Sequence, residues 1–348
     1  MRSSPGGTRG SELPHSLLVA EPMLVQRRLN YYRRIFAAYL TPGKSQLTFW
    51  HEVPEINESA RSGALGEYYM TFTAKADYRG HYDQSGVPML DYHGKLGLQY
   101  NPIAIAQYGL ANYNLFRRTG DLGRRRRFLR AADWLVANLE KNHAGLPVWH
   151  HHFDWEYRTP LKAPWYSALA QGQAISLLVR THAETGLGIY LETARKGFQP
   201  FLKTVDEGGV TFTDGNAQTW FEEYIVSPPT HILNGFIWAS WGVHDFSLAT
   251  GELDAERLFS QAVSTLKANL QQFDVSFWSL YEQSGTRLRM LASPFYHRLH
   301  IVQLQVMYRL TGEEIFREFA QRWERYEHDP LKRNRALLQK ALFKILYY

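Results

Sequence analysis

The sequence predicts a mainly α fold: an (α/α) toroid of about four helical hairpins, with a small β-containing N-terminal region and β-hairpin loops at the cleft. Two observations predict it. A Thr-Gly pair recurs four times at intervals of 61 to 66 residues, and segments with helical periodicity flank each pair. The pairs are Thr119-Gly120, Thr185-Gly186, Thr250-Gly251 and Thr311-Gly312. Because glycine readily adopts the left-handed backbone that ends a helix, each pair predicts a turn between two helices.

The two helices of each predicted hairpin differ in character. The first helices, at about 102–118, 165–184, 232–249 and 296–310, are apolar and carry few charges. The second helices, at about 125–140, 190–205, 255–272 and 314–328, have one charged face. An apolar set and an amphipathic set indicate an inner and an outer ring of helices, so residues 101–348 are expected to form the toroid.

Long linkers join each outer helix to the next inner helix. They span 142–164, 206–229 and 274–295 and are rich in Gly, Pro, Tyr and Trp. Short hairpin strands are expected at 209–213 and 275–281. Since long ordered loops often carry function, the linkers predict a cleft at one end of the toroid.

Residues 1–100 have a different sequence pattern from the rest of the chain. Residues 45–100 contain alternating and Gly-rich segments that predict a small β-containing region, and 1–44 are expected to be flexible or helical. The apolar patch at 17–24 is interrupted by Glu21 and Pro22, so we expect neither a signal peptide nor a spanning helix. The sequence therefore favours a soluble, cytoplasmic protein without a membrane partner.

Composition narrows the class of partner. The chain has no cysteine, which excludes disulfides, thiolate nucleophiles and thiolate zinc sites. Its net charge of +6 favours a polyanionic partner, and its 21 Tyr and 10 Trp offer faces on which sugar rings stack. An acidic polysaccharide is therefore expected, rather than a nucleic acid.

No cofactor is expected, because no phosphate-binding loop, nucleophile elbow or dinucleotide fingerprint is present. The histidines at 150–152 do not predict a metal site either. Three consecutive side chains cannot all face one ion, and no Cys or spaced Asp/Glu set accompanies them. Any chemistry must therefore come from Tyr, Glu, His and Arg.

Two linkers contain groups that suit acid–base chemistry. One holds Glu222-Glu223-Tyr224, shortly before Leu233-Asn234-Gly235-Phe236 opens the third inner helix, and the next holds Tyr281 and Tyr296-His297. On these residues alone, a surface carboxylate pair and core aromatic residues remain open alternatives. Residues 101–110 (NPIAIAQYGL) and 165–176 (WYSALAQGQAIS) complete the pattern.

These segments, in this order, resemble the C-terminal domain of the heparosan-glucuronate 5-epimerase (D-glucuronyl C5-epimerase) family, from about residue 87 onward. The resemblance implies an (α/α) toroid that inverts carbon 5 of D-glucuronic acid in a heparosan-like polysaccharide. The catalytic residues it implies are Glu223, Tyr224, Tyr281 and Tyr296. The expected substrate-binding residues are Tyr166, Gln171, Gln173, Asn234, Arg287, Arg289 and His297.

Inversion at carbon 5 removes a proton α to a carboxylate and returns one to the opposite face, so acid–base groups must flank the sugar. We expect Glu223 on one face and Tyr296 on the other. An Arg at 287 or 289 and His297 would supply positive charge. Expulsion of the substituent at carbon 4 would instead make the protein a polysaccharide lyase.

Two further alternatives remain open. A non-catalytic glycan-binding toroid would keep the aromatic residues and the basic charge, and a glycoside hydrolase could use Asp154 and Glu223 as its two carboxylates.

A homodimer is also possible. The apolar C-terminal segment 331–348 is the place to look for its interface, although a packing helix fits that segment as well.

Overall fold

The computed structural model describes residues 49–50, 52–92 and 94–347, so the predicted N-terminal segment 1–44 lies outside the described residues. The chain divides into two compact units, 1–51 and 52–348. In the first, the rings of Phe49 and Trp50 meet edge to face at 5.3 Å. The described helices and strands all belong to the second unit.

The second unit contains four helical hairpins, as predicted. Their first helices are α2 (Pro102–Thr119), α4 (Ala168–Thr185), α6 (Leu233–Thr250) and α8 (Pro294–Thr311). Their second helices are α3 (Leu122–Ala137), α5 (Gly188–Phe198), α7 (Leu253–Asn269) and α9 (Glu314–His328). Each first helix ends at the glycine of its Thr-Gly pair, where φ is 69° to 71°. A final helix, α10 (Pro330–Tyr347), follows the fourth hairpin.

The first helices form the inner layer. Helix α4 packs between α2 and α6, α6 also contacts α8, and each second helix packs outside its own partner. Helices α4 and α6 cross closely because Gly172 and Gly242 face each other, and a methyl group built at Gly242 would lie 2.3 Å from Gly172 Cα. The prediction of a mainly helical (α/α) toroid is confirmed.

Local chemistry explains where the helices begin and end. The side chains of Asn101, Ser167 and Ser293 cap α2, α4 and α8 by accepting backbone N–H groups of the first turn. Helices α3, α5 and α7 begin two or three residues earlier than predicted because each follows its glycine almost at once, and α9 begins at Glu314 as predicted. Helix α5 ends at Phe198, seven residues before its predicted end, because a 3₁₀ turn containing Pro200 replaces it.

The β structure is limited to short strands. Strands β1 (His81–Tyr82), β2 (Pro88–Asp91) and β3 (Leu98–Gln99) form an antiparallel sheet in that order, preceded by the short helix α1 (Thr73–Ala76). Two linkers contain hairpins: β4 (Glu140–Lys141) pairs with β5 (Pro147–Val148), and β6 (Thr211–Thr213) pairs with β7 (Thr219–Phe221). The strand expected at 209–213 is present as β6, whereas 275–281 contains only residues of isolated β-bridges, Asp274 with Ser279 and Leu280 with Leu291.

The segment before α1 packs against the C-terminal halves of the inner helices. Arg180 of α4 and Asp245 of α6 form a buried bidentate ion pair at 2.6 and 3.0 Å. Tyr69 Oη donates to the same carboxylate at 2.6 Å, and the Tyr68 ring lies 5.1 Å from the guanidinium. These contacts occupy one end of the toroid, so the long linkers are left to form the other.

No helix in the described part of the chain combines the length and the hydropathy needed to cross a membrane.

Candidate active site

The structure brings together the four side chains that the sequence singled out for catalysis. Glu223 and Tyr224 follow β7, and Tyr281 lies beside a β-bridge in the last linker. Tyr296 stands in the first turn of α8, with its ring 4.9 Å from that of Tyr281. Glu223 hydrogen-bonds Tyr224, so carboxyl and phenol groups from three segments meet in one site.

Glu223 is buried, with 5% of its surface exposed. The pKa of its carboxyl group is raised to about 8, chiefly by burial and also by the negative charges of Glu282 and Glu222, while the Tyr224 hydrogen bond opposes the rise. The amide of Asn234, in the first turn of α6, lies 3.5 Å from Glu223 Oε2. The carboxyl group therefore holds a proton at neutral pH and releases it in mildly alkaline solution.

The tyrosines differ in exposure. Tyr224 and Tyr281 are buried, and both pKa values are raised, first by burial and next by the charge of Glu223. Their phenols therefore stay protonated and can donate hydrogen bonds. Tyr296 is partly exposed and lies at the start of α8, where its backbone N–H donates to Ser293 Oγ at 3.3 Å.

Apolar side chains surround this group. Tyr157 packs against Tyr224 with ring centroids 4.7 Å apart, and Leu161, Ile232, Met290 and Phe343 belong to the same buried cluster. Phe343 comes from α10, so the C-terminal helix helps to cover the site. Such surroundings exclude water and strengthen the electrostatic interactions inside.

A buried acid and its partners lie next to the site and were not predicted. Tyr157 Oη donates to the carboxylate of Glu282, and Arg158 pairs with the same carboxylate at 3.0 Å. The linkers that contain these residues were expected to be functional. Their spacing along the sequence could not show that Tyr157 and Arg158 contact Glu282.

Lys340 of α10 was also missed. Its buried Nζ donates to the carbonyl of Leu291 and lies 5.7 Å from the centre of the Tyr281 ring. The pKa of its ammonium group is lowered to about 7, chiefly by burial and also by the positive charge of Lys344, while Glu282 opposes the shift. A lysine within an amphipathic C-terminal segment gives no sequence signal that it faces a site.

Three predicted substrate-binding residues bond to other partners. Gln171 accepts from the backbone N–H of Trp149 at 2.8 Å and donates to the Gly197 carbonyl at 2.8 Å. Gln173 donates to Tyr68 Oη at 2.6 Å, and Tyr166 Oη donates to the Gly208 carbonyl at 2.8 Å. Both glutamines are fully buried, which makes them packing and cross-linking residues in this conformation.

The predicted cations differ in exposure. His297 is fully buried, stacks on Trp278 at 3.7 Å, and meets the Trp323 carbonyl at 3.0 Å. Burial lowers its pKa to about 3, so the ring is neutral, which corrects the expectation that it supplies positive charge. Arg287 and Arg289 are both exposed.

Comparisons with known proteins identify the family. A family model described as D-glucuronyl C5-epimerase C-terminus matches residues 143–325. Two proteins are also similar to the chain over part of its length. An uncharacterized protein of Methanocaldococcus jannaschii is 29% identical over 195 residues, 55% of this chain and 62% of that protein. D-glucuronyl C5-epimerase of Caenorhabditis elegans is 31% identical over 216 residues, 58% of this chain and 35% of that protein.

A solved structure, an unsaturated glucuronyl hydrolase from Bacillus sp. GL1, aligns with a TM-score of 0.45 at 12% identity, covering 64% of this chain and 61% of that chain. The chain thus spans 35% to 62% of the length of the curated relatives it matches. The family model covers more than half of the chain and includes all four residues of the tyrosine–glutamate site. The resemblance seen in the sequence is confirmed, and the chain belongs to the D-glucuronyl C5-epimerase C-terminus family.

Proposed function

We propose that this protein is an isomerase that converts D-glucuronic acid to L-iduronic acid, at carbon 5, within a heparosan-like polysaccharide. One observation carries the proposal: Glu223 meets Tyr224, Tyr281 and Tyr296 in one aromatic site of a chain from this family. Carboxyl and phenol groups in a site that excludes water suit the removal and return of a proton.

The chemistry sets two requirements. The hydrogen on carbon 5 is weakly acidic because the adjacent carboxylate is already negative, so the intermediate needs hydrogen-bond donors and nearby positive charge. The raised pKa values keep the phenols of Tyr224 and Tyr281 protonated, so both can donate. The amide of Asn234 adds a third donor beside Glu223.

Glu223 and Tyr296 are the two groups that exchange protons with carbon 5. One of them takes the proton from one face as the C–H bond breaks, and the other gives a proton to the opposite face as the new C–H bond forms. Exchange with water then restores both groups. Tyr296 lies in the first turn of α8, at the positive end of the helix dipole.

Lys340 supplies the nearby positive charge in this proposal. The arginines that were expected to do so, Arg287 and Arg289, are exposed, whereas the Lys340 ammonium is buried beside Tyr281. A uronate carboxylate bound nearby would raise the pKa of Lys340 again, because an opposite charge favours the charged form.

A sugar ring must reach a carboxyl group that is now covered. Tyr157 and Leu161, from one linker, and Phe343, from α10, pack over the buried tyrosines. The partly exposed Tyr296 marks the edge at which a polymer would enter. We therefore propose that the linker or the helix moves aside when the polysaccharide binds.

The test is proton NMR of N-acetylheparosan incubated with the protein in deuterated water. Deuterium entering at carbon 5, together with iduronate signals, is the expected result, and Glu223→Gln and Tyr296→Phe should both abolish it. Tyr308→Phe, on the same helix as Tyr296, serves as the matched control and should retain exchange. Ultraviolet absorbance from an unsaturated uronate would make the protein a lyase, and binding without exchange would make it a glycan-binding protein.

A further inference from the structure

The histidine run in the first long linker splits between two faces of an extended segment. His151 is fully buried, with its ring 3.8 Å from Trp165 and stacked on Phe153 at 5.7 Å. His150 and His152 point to the opposite side, because successive side chains alternate along a strand. Three consecutive side chains cannot all face one ion, but His150 and His152 lie on the same face and can.

The β4–β5 hairpin brings a carboxylate to the same two rings. Glu140 pairs with Val148 across the hairpin, two residues before His150. Its Oε2 lies 2.9 Å from His150 Nδ1 and 3.1 Å from His152 Nε2. The three possible ligand atoms all lie within 4.8 Å of one another. A tetrahedral zinc ion with bonds of about 2.0–2.2 Å needs its ligand atoms roughly 3.4 Å apart, so a side-chain adjustment of about 1 Å brings the three to one ion.

We propose that Glu140, His150 and His152 bind a divalent transition-metal ion of the zinc class. Two imidazoles and one carboxylate suit Zn²⁺, Co²⁺ or Ni²⁺ better than Mg²⁺ or Ca²⁺, which prefer oxygen ligands alone. The buried His150 fixes one side of the site, while Glu140 and His152 are exposed. Three protein ligands leave at least one coordination position, which faces solvent and accepts water or an anionic oxygen.

The site has a structural consequence. Glu140 lies on β4, and the histidines follow β5, so a bound ion ties the two sides of the hairpin together. The hairpin leads into the linker that ends at α4, and the His150 ring stands edge-on to Tyr166 at 6.0 Å. Metal binding should therefore stabilise this linker, whether or not the epimerase proposal holds.

The experiment titrates the untagged full-length chain with Co²⁺ and then displaces it with Zn²⁺. We expect one equivalent of Co²⁺ with the visible absorption of nitrogen and oxygen ligands, loss of that absorption on adding Zn²⁺, and a higher Tm with either ion. His152→Ala should weaken binding by at least about tenfold. Because His152 is exposed, this variant should fold, which circular dichroism checks.

Two further variants sharpen the result. Glu140→Gln keeps the shape but removes the charge, so it should weaken binding as well. His143→Ala removes an exposed histidine from the turn of the same hairpin and should leave binding unchanged. The proposal is overturned if the wild-type chain shows no saturable Co²⁺ binding, or if His143→Ala loses as much affinity as His152→Ala.

Discussion

Gly235 leaves the space that the carboxyl group of Glu223 occupies. A methyl group built at Gly235 would lie 2.1 Å from Glu223 Oε2 and 2.8 Å from its Cβ. Such distances are far shorter than any van der Waals contact, so an added side chain must displace the glutamate. The Asn234-Gly235 pair that opens α6 therefore sets the position of the acid in two ways, with an amide donor and with an empty volume.

Gly235→Ala should reduce carbon 5 exchange by about a hundredfold, since a displacement of about 1 Å in a reacting group costs that much. Isotope exchange measures the effect, and an unchanged far-ultraviolet circular dichroism spectrum shows that α6 remains folded. Gly215→Ala is the matched control because a methyl group there meets nothing within 4 Å. Equal loss of activity in both variants would show that Gly235 does not set the position of Glu223.

The pKa of Glu223 predicts how stability varies with pH. Because the folded protein raises this pKa from 4.5 to about 8, the native state keeps a proton that the unfolded state releases between those values. The free energy of unfolding should therefore fall as pH rises from about 4.5 to about 8, at up to about 1.4 kcal/mol per unit. In Glu223→Gln this contribution should vanish. Urea unfolding of both proteins across that range tests it, and parallel curves would contradict the burial argument.

Lys340→Met should reduce exchange by about a hundredfold, because it removes the positive charge beside Tyr281 while keeping the length of the side chain. Lys332→Met is the matched control: it removes a lysine on the same helix that lies 4.2 Å from the Tyr326 ring.

The pH–rate profile separates a charge effect from a packing effect at Lys340. At low polysaccharide concentration, where the rate reports the free protein, wild-type exchange should decline as the ammonium loses its proton above about pH 7, and Lys340→Met should lack that decline. Lys340 lies over the Tyr281 ring and interacts electrostatically with the charged or titratable groups of Glu282, His300 and Lys344. If Lys340→Met were more active than the wild type, α10 would be a cover rather than part of the site.

Asp245→Asn should lower the free energy of unfolding by about 3–5 kcal/mol, because it leaves the Arg180 charge buried without its partner. Urea unfolding measures the change. Asp254→Asn breaks an ion pair whose two side chains are 63% and 58% exposed, and it should cost less than about 1 kcal/mol. Similar decreases in the free energy of unfolding of the two variants would show that the buried ion pair stabilises the fold no more than the exposed one.

The hairpins could be predicted because their signals are local. A glycine such as Gly120 or Gly186 ends a helix through its own backbone conformation, and the apolar inner helices follow directly from periodicity. Helix ends were less accurate, since they depend on side-chain caps and on local turns such as the one at Pro200. The grouping of Glu223 with the tyrosines followed from motif order, through the resemblance to a family.

The remaining site contacts are long-range, and sequence spacing does not encode them. Tyr157 meets Glu282 across 125 residues, and Lys340 reaches Leu291 from a helix beyond the last repeat. Orientation was the other limit. His297 follows Tyr296 directly, but along a helix the next side chain points elsewhere, so its ring turns toward Trp278 and Trp323.

The repeated Thr-Gly turn also has an electrostatic consequence. Because every short turn lies at the C-terminal end of an inner helix, α2, α4, α6 and α8 all direct their N-terminal ends toward the long linkers. Each such end carries roughly half a positive charge. Four aligned helix dipoles therefore make the linker end of the toroid attractive to anions through the backbone alone, before any lysine or arginine is counted. This field would attract an anionic polysaccharide, and substitution of surface cations would leave it in place.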